Sequence, residues 1–334
     1  MVETNTAQNA IIDVKKRGFV HIPSFLTQKE LELLCNDFES AEAVDTDNYA
    51  MKHVSSEAFQ QISEKLQTIV KLIQDNTVAN VDQFDGPGMY FPNWKEKATL
   101  SNPEPSLQKF PWHQDHESYF LLQDHSHYFN LYIPIVKPVP DKSNLTLIPN
   151  DKLKERVPEI YEQLAGRGAT RIVKDQGQDV ILDDDGGGIL ARLDFDIIDI
   201  EETPQLQAGD LLLIKGDVLH KTQDASTQRV AVSFRLLNSQ SLVQRQKLIQ
   251  GGLVKTVMML NSWNKYELGL RYFNLIQSET ATFEEILKYI ESNTVPSNFR
   301  RINFLLRLLS ERLRKGNILK MFLDLRFLNL ILQK

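Results

Sequence analysis

Between residues 56 and 75 the apolar side chains Phe59, Ile62, Leu66, Ile69, Val70 and Ile73 recur every three or four positions. That interval matches the turn of an α-helix and predicts a helix with one buried face. An earlier helix is predicted by "LTQKELELLCNDF", where Thr27 and Glu30 have the capping-box spacing and Leu31, Leu34 and Phe38 repeat at helical intervals. Before it, "RGFVHI" at 17–22 reads as a short strand, because β-formers follow a glycine and stop at Pro23. From about residue 80 to 237 the texture changes. The runs "HYFNLYIPIV", "LTLIP", "ATRIVKD", "DVILDDDGGG", "GDLLLIKGD" and "RVAVSFRLL" alternate with clusters of Gly, Pro, Asn and Asp. Short strands with frequent turn signals predict an all-β barrel or sandwich. After about residue 253 the helical interval returns. Thr282 and Glu285 form a second capping box before "ILKYIE", and 297–333 carry two amphipathic segments broken near Gly316 and Asn317. The layout is a mostly β core with flanking helices, an α+β arrangement. It predicts a β barrel or sandwich domain with N-terminal helices over 1–250 and a helical extension over 251–334.

Composition narrows the partners. A chain of 334 residues can bury a substantial core. The net charge of -6 argues against a nucleic-acid partner, which would call for an excess of Lys and Arg. Cys35 is the only cysteine, so neither a disulfide framework nor a multi-cysteine zinc site is available within the chain. The first ten residues lack the basic and apolar regions of a signal peptide, and no apolar run approaches a membrane span. These features predict a cytoplasmic protein. The tail departs from the rest: residues 299–334 hold nine Lys or Arg and two acids, a sum of +7. Its apolar positions Ile302, Leu305, Leu306, Leu309 and Leu313 repeat at helical spacing. Such a face either docks on the β core or a second subunit, or holds the protein peripherally at an anionic membrane.

The candidate chemistry sits in "FPWHQDHESYF", residues 110–120. On an extended segment His113 and Asp115 point the same way, and Gln114 and His116 the other. An imidazole beside a carboxylate makes two thirds of a 2-His-1-carboxylate facial triad, which holds non-heme Fe(II) and leaves positions open for substrates. One distant histidine completes it, and the best placed is His220 in "GDLLLIKGDVLHKTQDASTQRVAVSFR". Downstream, Arg229, Ala231, Ser233 and Arg235 share one strand face, with Val230, Val232 and Phe234 on the other. Two guanidiniums on the inner face of a barrel need anionic partners. A dicarboxylic co-substrate would supply one, because the guanidinium fork matches a carboxylate.

"HQD", a distant "GD-x-x-H" and an Arg nine residues later resemble the Fe(II)/2-oxoglutarate-dependent dioxygenases, specifically the phytanoyl-CoA-dioxygenase-like branch. The opening "GFVHIPSFLTQKELELL" and the segment "NLYIPIVKPVPDKSNLTLIPND" resemble that branch as well, so the likeness covers roughly residues 17–237. It implies a double-stranded β-helix, with His113, Asp115 and His220 as iron ligands and Arg229 pairing with the far carboxylate of 2-oxoglutarate. It places Gln114 near the co-substrate and puts Tyr132 where many members carry a Trp. Ser233 and Arg235 are further candidates for co-substrate or substrate contacts. The implied chemistry consumes Fe(II), 2-oxoglutarate and O2, and couples oxidative decarboxylation to hydroxylation of an unactivated C–H. The substrate would be a small molecule, a sugar or a lipid. Related halogenases replace the carboxylate ligand with a small residue, so Asp115 points to hydroxylation. A catalytically silent jelly roll that binds a ligand or a protein is the other reading of the same residues.

Three smaller motifs yield blander expectations. His125 and His127 make an H-x-H, but the downstream Glu of a cupin metal site is missing, which places them at the mouth or surface. "DDDGGG", Asp183 to Gly188, lacks the spaced ligands of a calcium loop and reads as a hairpin turn. Trp112 and Phe120 flank the metal motif as pocket or core residues.

Overall fold

The computed structural model describes residues 14–45, 50–91, 110–115 and 121–314. His116 and Phe120 lie outside these residues, as does the second half of the basic tail, 315–334. The chain divides into two compact units. One comprises residues up to 114, 125–167 and 196–238, and the other 115–124, 168–195 and 239 onward.

The first unit opens with strand β1 (Phe19–Ile22), helix α1 (Gln28–Ser40), strands β2 (Ala43–Asp45) and β3 (Ala50–His53), and helix α2 (Ser56–Asn76). Strands β4 (Gln83–Tyr90), β5 (Phe129–Val136) and β6 (Leu145–Leu147) and helices α3 (Asn150–Arg156) and α4 (Pro158–Leu164) follow. The chain then enters the second unit for β7 (Thr170–Asp175), β8 (Gln178–Asp183) and β9 (Ile189–Arg192). It returns to the first for β10 (Leu211–Lys215), β11 (His220–Thr222) and β12 (Val230–Leu237). The remaining elements belong to the second unit: β13 (Leu242–Gln244), α5 (Arg245–Ile249), α6 (Leu253–Asn261), α7 (Trp263–Ile276), β14 (Thr280–Thr282), α8 (Phe283–Ser292) and α9 (Arg301–Arg314).

Both predicted capping boxes form. Thr27 and Glu30 exchange hydrogen bonds at the start of α1, and Thr282 and Glu285 do so at the start of α8. Each satisfies two amide groups that a helix start would otherwise leave unpaired.

The major sheet has seven strands in the order β1-β10-β5-β12-β4-β3-β2, and every neighbouring pair is antiparallel. Its two faces divide the alternating side chains as the sequence predicts. Leu131, Ile133, Leu211, Leu213, Val230, Val232 and Phe234 pack with Leu34, Phe38, Ile62, Leu66, Ile69 and Ile73 of α1 and α2. The opposite face carries Tyr132, Leu212, Ile214 and Ala231, which pack with Leu145 and Leu147 of β6 and with Leu206. Because β12 is covered on both faces, all eight of its residues are buried. A fully buried aromatic or aliphatic side chain stabilises by roughly 1.5–3 kcal/mol, so the two layers account for much of the unit's stability. The minor sheet pairs β11 with β6 and extends through a bridge between His113 and His220 and another between Leu147 and Glu202. This is the jelly-roll core expected from the sequence. Helices α3 and α4, however, interrupt the span read as β throughout. Pro158 at the first turn of α4 suits a helix start, where no intrahelical N–H is required.

In the second unit β7, β8 and β9 form their own antiparallel sheet. The "DDDGGG" stretch is the β8–β9 turn. Asp183 accepts hydrogen bonds from the amides of Asp185 (3.0 Å) and Gly186 (2.8 Å). Asp184 accepts from Arg171 Nε at 2.7 Å, and Asp185 pairs with the buried Lys255. These carboxylates are therefore answered by protein cations and amides.

The rotation of α9 differs from its sequence pattern. Phe304, Leu308 and Arg312 face inward, whereas Ile302, Leu306 and Leu313 are exposed. Polar anchors coincide with the inward face. Arg312 donates to the carbonyl of Ile249 and to Thr256 Oγ1, both at 2.8 Å. Arg307 donates to the fully buried Glu267 at 2.7 Å, which also accepts from Arg271 at 2.7 Å. Two of the tail's nine basic residues are thus engaged inside the second unit rather than presented to a surface. Among the described residues no helix is long and apolar enough to cross a membrane.

Candidate metal centre and co-substrate pocket

His113 stands within the described stretch 110–115, and His220 opens β11. Their backbones exchange two hydrogen bonds, His113 N to His220 O and His220 N to His113 O, each 2.9 Å. A closely bonded antiparallel pair sets the two side chains side by side on one face. The imidazole centroids lie 4.3 Å apart. Asp115 follows two residues after His113, in phase with it. One ligand atom from each of His113, Asp115 and His220 falls within 4.8 Å of the others. Among the described residues this is the only cluster of three or more such groups.

The ring nitrogens are set by the backbone. His113 Nδ1 lies 2.7 Å from the carbonyl of Pro111, and His220 Nδ1 lies 3.0 Å from that of Val218. A carbonyl oxygen can only accept, so Nδ1 carries the proton in each ring and Nε2 is the atom that could take a metal. Asp115 and His220 are both buried. A buried carboxylate between two imidazoles is a donor set that would suit a divalent metal, with three ligands on one side.

Of the predicted co-substrate residues, Tyr132, Ser233 and Arg235 lie on strands β5 and β12 of the major sheet. Arg229, just before β12, is buried, and its NH1 donates to the carbonyl of Ser143 at 3.0 Å. Its guanidinium carbon lies 5.8 Å from the ring centroid of Tyr132. The Tyr132 hydroxyl is buried and has no hydrogen-bond partner. Burial pushes its pKa up, and the Arg229 charge opposes that shift. Ser233, opposite Tyr132 in the sheet register, donates to Asn130 Oδ1 at 2.6 Å. Arg235 bonds to the hydroxyl of Tyr90, and the register sets Asp85 and Asn130 on either side of it. Six residues of strand separate Arg229 from Arg235, about 20 Å. The two guanidiniums therefore serve different ends of the sheet.

Gln114 is fully buried, and its amide nitrogen donates to the carbonyls of Leu164 and Asp217. His125, expected at the mouth or surface, is buried with its ring 5.1 Å from that of Tyr128. A 3-10 turn at His125–His127 carries it inward. Lys137 follows β5. Burial and the charge of Arg229 lower its pKa to about 8, and its amine donates to the carbonyls of Val139 and Lys142. A lone lysine after a strand carries no local signal. Only the return of β12 beside β5 brings Arg229 near it.

The family model for phytanoyl-CoA dioxygenase matches residues 14–232, about two thirds of the chain. The chain belongs to the phytanoyl-CoA dioxygenase family. The match spans the described triad and Arg229, and the fold is that of the iron- and 2-oxoglutarate-dependent oxygenases. Among solved structures, the chain resembles the non-heme α-ketoglutarate-dependent epimerase SnoN of nogalamycin biosynthesis. The likeness covers 72% of this chain and 86% of that one, at 12% identity and a TM-score of 0.47. It also resembles HygX from Streptomyces hygroscopicus with nickel, 2-oxoglutarate and hygromycin B bound (69% and 87%, 11% identity, TM-score 0.43). A third is a Pseudomonas putida prolyl-4-hydroxylase (70% and 98%, 12% identity, TM-score 0.44). These are likenesses of fold. No curated protein matches the chain.

Proposed function

We propose that this member of the phytanoyl-CoA dioxygenase family is an Fe(II)/2-oxoglutarate-dependent oxygenase whose metal is held by His113, Asp115 and His220. The observation that carries the reading is the convergence of one ring nitrogen from each of His113 and His220 and a carboxylate oxygen of Asp115 within 4.8 Å of one another. The pocket residues fit the co-substrate too. The buried Tyr132 hydroxyl beside Arg229 lacks a partner, and an incoming carboxylate would supply one. Arg229 binds the C5 carboxylate, Tyr132 donates to it, and Lys137 adds a second cation nearby. The iron, when bound with 2-oxoglutarate and O2, supplies the oxidising power for C–H cleavage.

The protein's part is orientation and exclusion of water. Asp115 occupies the third ligand position, which favours hydroxylation over halogenation. Tyr132, Leu145, Leu147 and Ala231 form an apolar layer on this face of the sheet, and a polar contact made against such a layer counts for more than in water. The substrate class is a small molecule, a sugar or a lipid.

Anaerobic titration with Fe(II) and 2-oxoglutarate tests the reading. A visible metal-to-ligand charge-transfer band is expected in the wild type and absent in His220→Ala, whose metal-free melt should stay close to wild type. No band and no Fe(II) uptake by the wild-type protein would overturn the enzyme and leave a jelly roll that binds something else.

A further inference from the structure

Gln114 stands between two of the three metal-site residues, yet strand alternation sends its side chain to the opposite face. There it is fully buried, and Nε2 donates to Asp217 O at 2.7 Å and to Leu164 O at 3.1 Å. Asp217 lies three residues before His220. One carboxamide thus ties the segment bearing His113 to the turn that delivers His220, and ties both to the end of α4.

That turn is itself tightly fixed. Asp217 Oδ2 accepts from the amide of Gly166 at 2.7 Å and from Lys215 Nζ at 3.1 Å. Gly166 has φ +69°, and a Cβ there would fall 2.5 Å from Ser126 Oγ. Its carbonyl accepts from the His125 amide at 3.1 Å. Gly216, beside Asp217, donates its amide to Tyr128 O at 2.8 Å. A Cβ on Gly216 would come within 2.0 Å of the Tyr128 ring, so no larger residue fits without moving that ring. The Gly-Asp pair ahead of the distal histidine is explained by packing, and Gln114 is the side chain that couples this packing to the metal strand.

We propose that Gln114 is a positioning residue for the metal centre and not a co-substrate ligand. The proposal rests on the iron reading above. The backbone pair between His113 and His220 fixes one edge of the site. Gln114 adds a tie on the far face of the same strand, which resists twisting of His113 and Asp115 relative to His220. Groups behind metal ligands that orient them commonly change metal affinity ten- to a hundredfold when lost.

Three variants test it. Gln114→Met keeps the length and removes both donors. Gln114→Glu keeps the shape and puts an acceptor against two carbonyls. Asp217→Asn loosens the same turn without touching the ligand strand. Fe(II) affinity would be measured by chelator competition, together with the energy of the Fe(II)–2-oxoglutarate band and the melting of the metal-free protein. The expected result is a roughly ten- to hundredfold loss of Fe(II) affinity in both Gln114 variants, a smaller loss in Asp217→Asn, and a shifted band. A purely structural role would lower the metal-free melting temperature and leave Fe(II) affinity and the band as in wild type. That outcome overturns the proposal. Should the Gln114 variants fail to fold, Asp217→Asn with wild-type Fe(II) affinity overturns it too. A wild-type protein that takes up no Fe(II) removes the iron reading itself, which separates the two failures.

Discussion

Truncating Arg229 to alanine removes the guanidinium proposed to hold the C5 carboxylate of 2-oxoglutarate. The residue is 5% exposed, so a carboxylate paired with it would be largely out of water. Removing one partner of such a pair costs about 2–5 kcal/mol. The surroundings place this site in the lower part of that range. Lys137 remains, with an amine close enough for Arg229 to depress its pKa, and it can answer part of the ligand's charge. The Tyr132 hydroxyl also remains as a donor. A loss of about 2–3.5 kcal/mol corresponds to a roughly 30- to 300-fold weaker Kd, since each 1.4 kcal/mol is tenfold. The assay is 2-oxoglutarate titration of Fe(II)-loaded protein under anaerobic conditions, read by the charge-transfer band. Fe(II) affinity should stay at the wild-type level, because none of the triad residues is altered. Arg229→Lys keeps the charge and loses the planar fork, so it should fall between the two. The double variant with Lys137→Met should be weaker than Arg229→Ala alone. An unchanged Kd for Arg229→Ala would refute the assignment and move the carboxylate elsewhere on the sheet.

Two further outcomes follow from charges inside the fold. The pKa of Lys137 is depressed to about 8 by burial and by Arg229, so the folded state disfavours its protonated form. The unfolded chain then binds more protons between about pH 8 and 10.5, and this group's contribution to stability rises across that window. Denaturation of wild type and Lys137→Met at several pH values should show the variant's relative stability falling as pH rises from 8; a flat difference would contradict the depressed pKa. Glu267→Ala leaves Arg271 and Arg307 without their shared buried carboxylate, and urea unfolding should record a loss of about 3 kcal/mol. A loss under about 0.5 kcal/mol would mean that the guanidiniums are satisfied by water.

The local elements and the ligand motif could be read from the chain directly. Helix α2 follows from the spacing of Ile62, Leu66, Ile69 and Ile73, and α1 and α8 from their capping boxes, because these signals concern residues within one or two turns of each other. The phase of β12 is equally local. Alternation alone assigns Val230, Val232 and Phe234 to one face and Ala231 to the other, and the two layers of the sheet bear this out. His113 and Asp115 share a face for the same reason.

What the chain could not state was which faces meet. Ile302, Leu306 and Leu313 form as good an apolar stripe as Phe304 and Leu308, yet α9 is turned with the latter pair inward. Glu267, Ile249 and Thr256 supply polar partners on that side for Arg307 and Arg312. Helices α3 and α4, the unit to which β7–β9 belong, the commitment of Gln114 to Asp217 and the nearness of Lys137 to Arg229 were likewise decided in three dimensions. Periodicity is set by the backbone of a single element. The choice of partner depends on segments a hundred residues away, whose side chains must be buried, paired and hydrogen-bonded all at once.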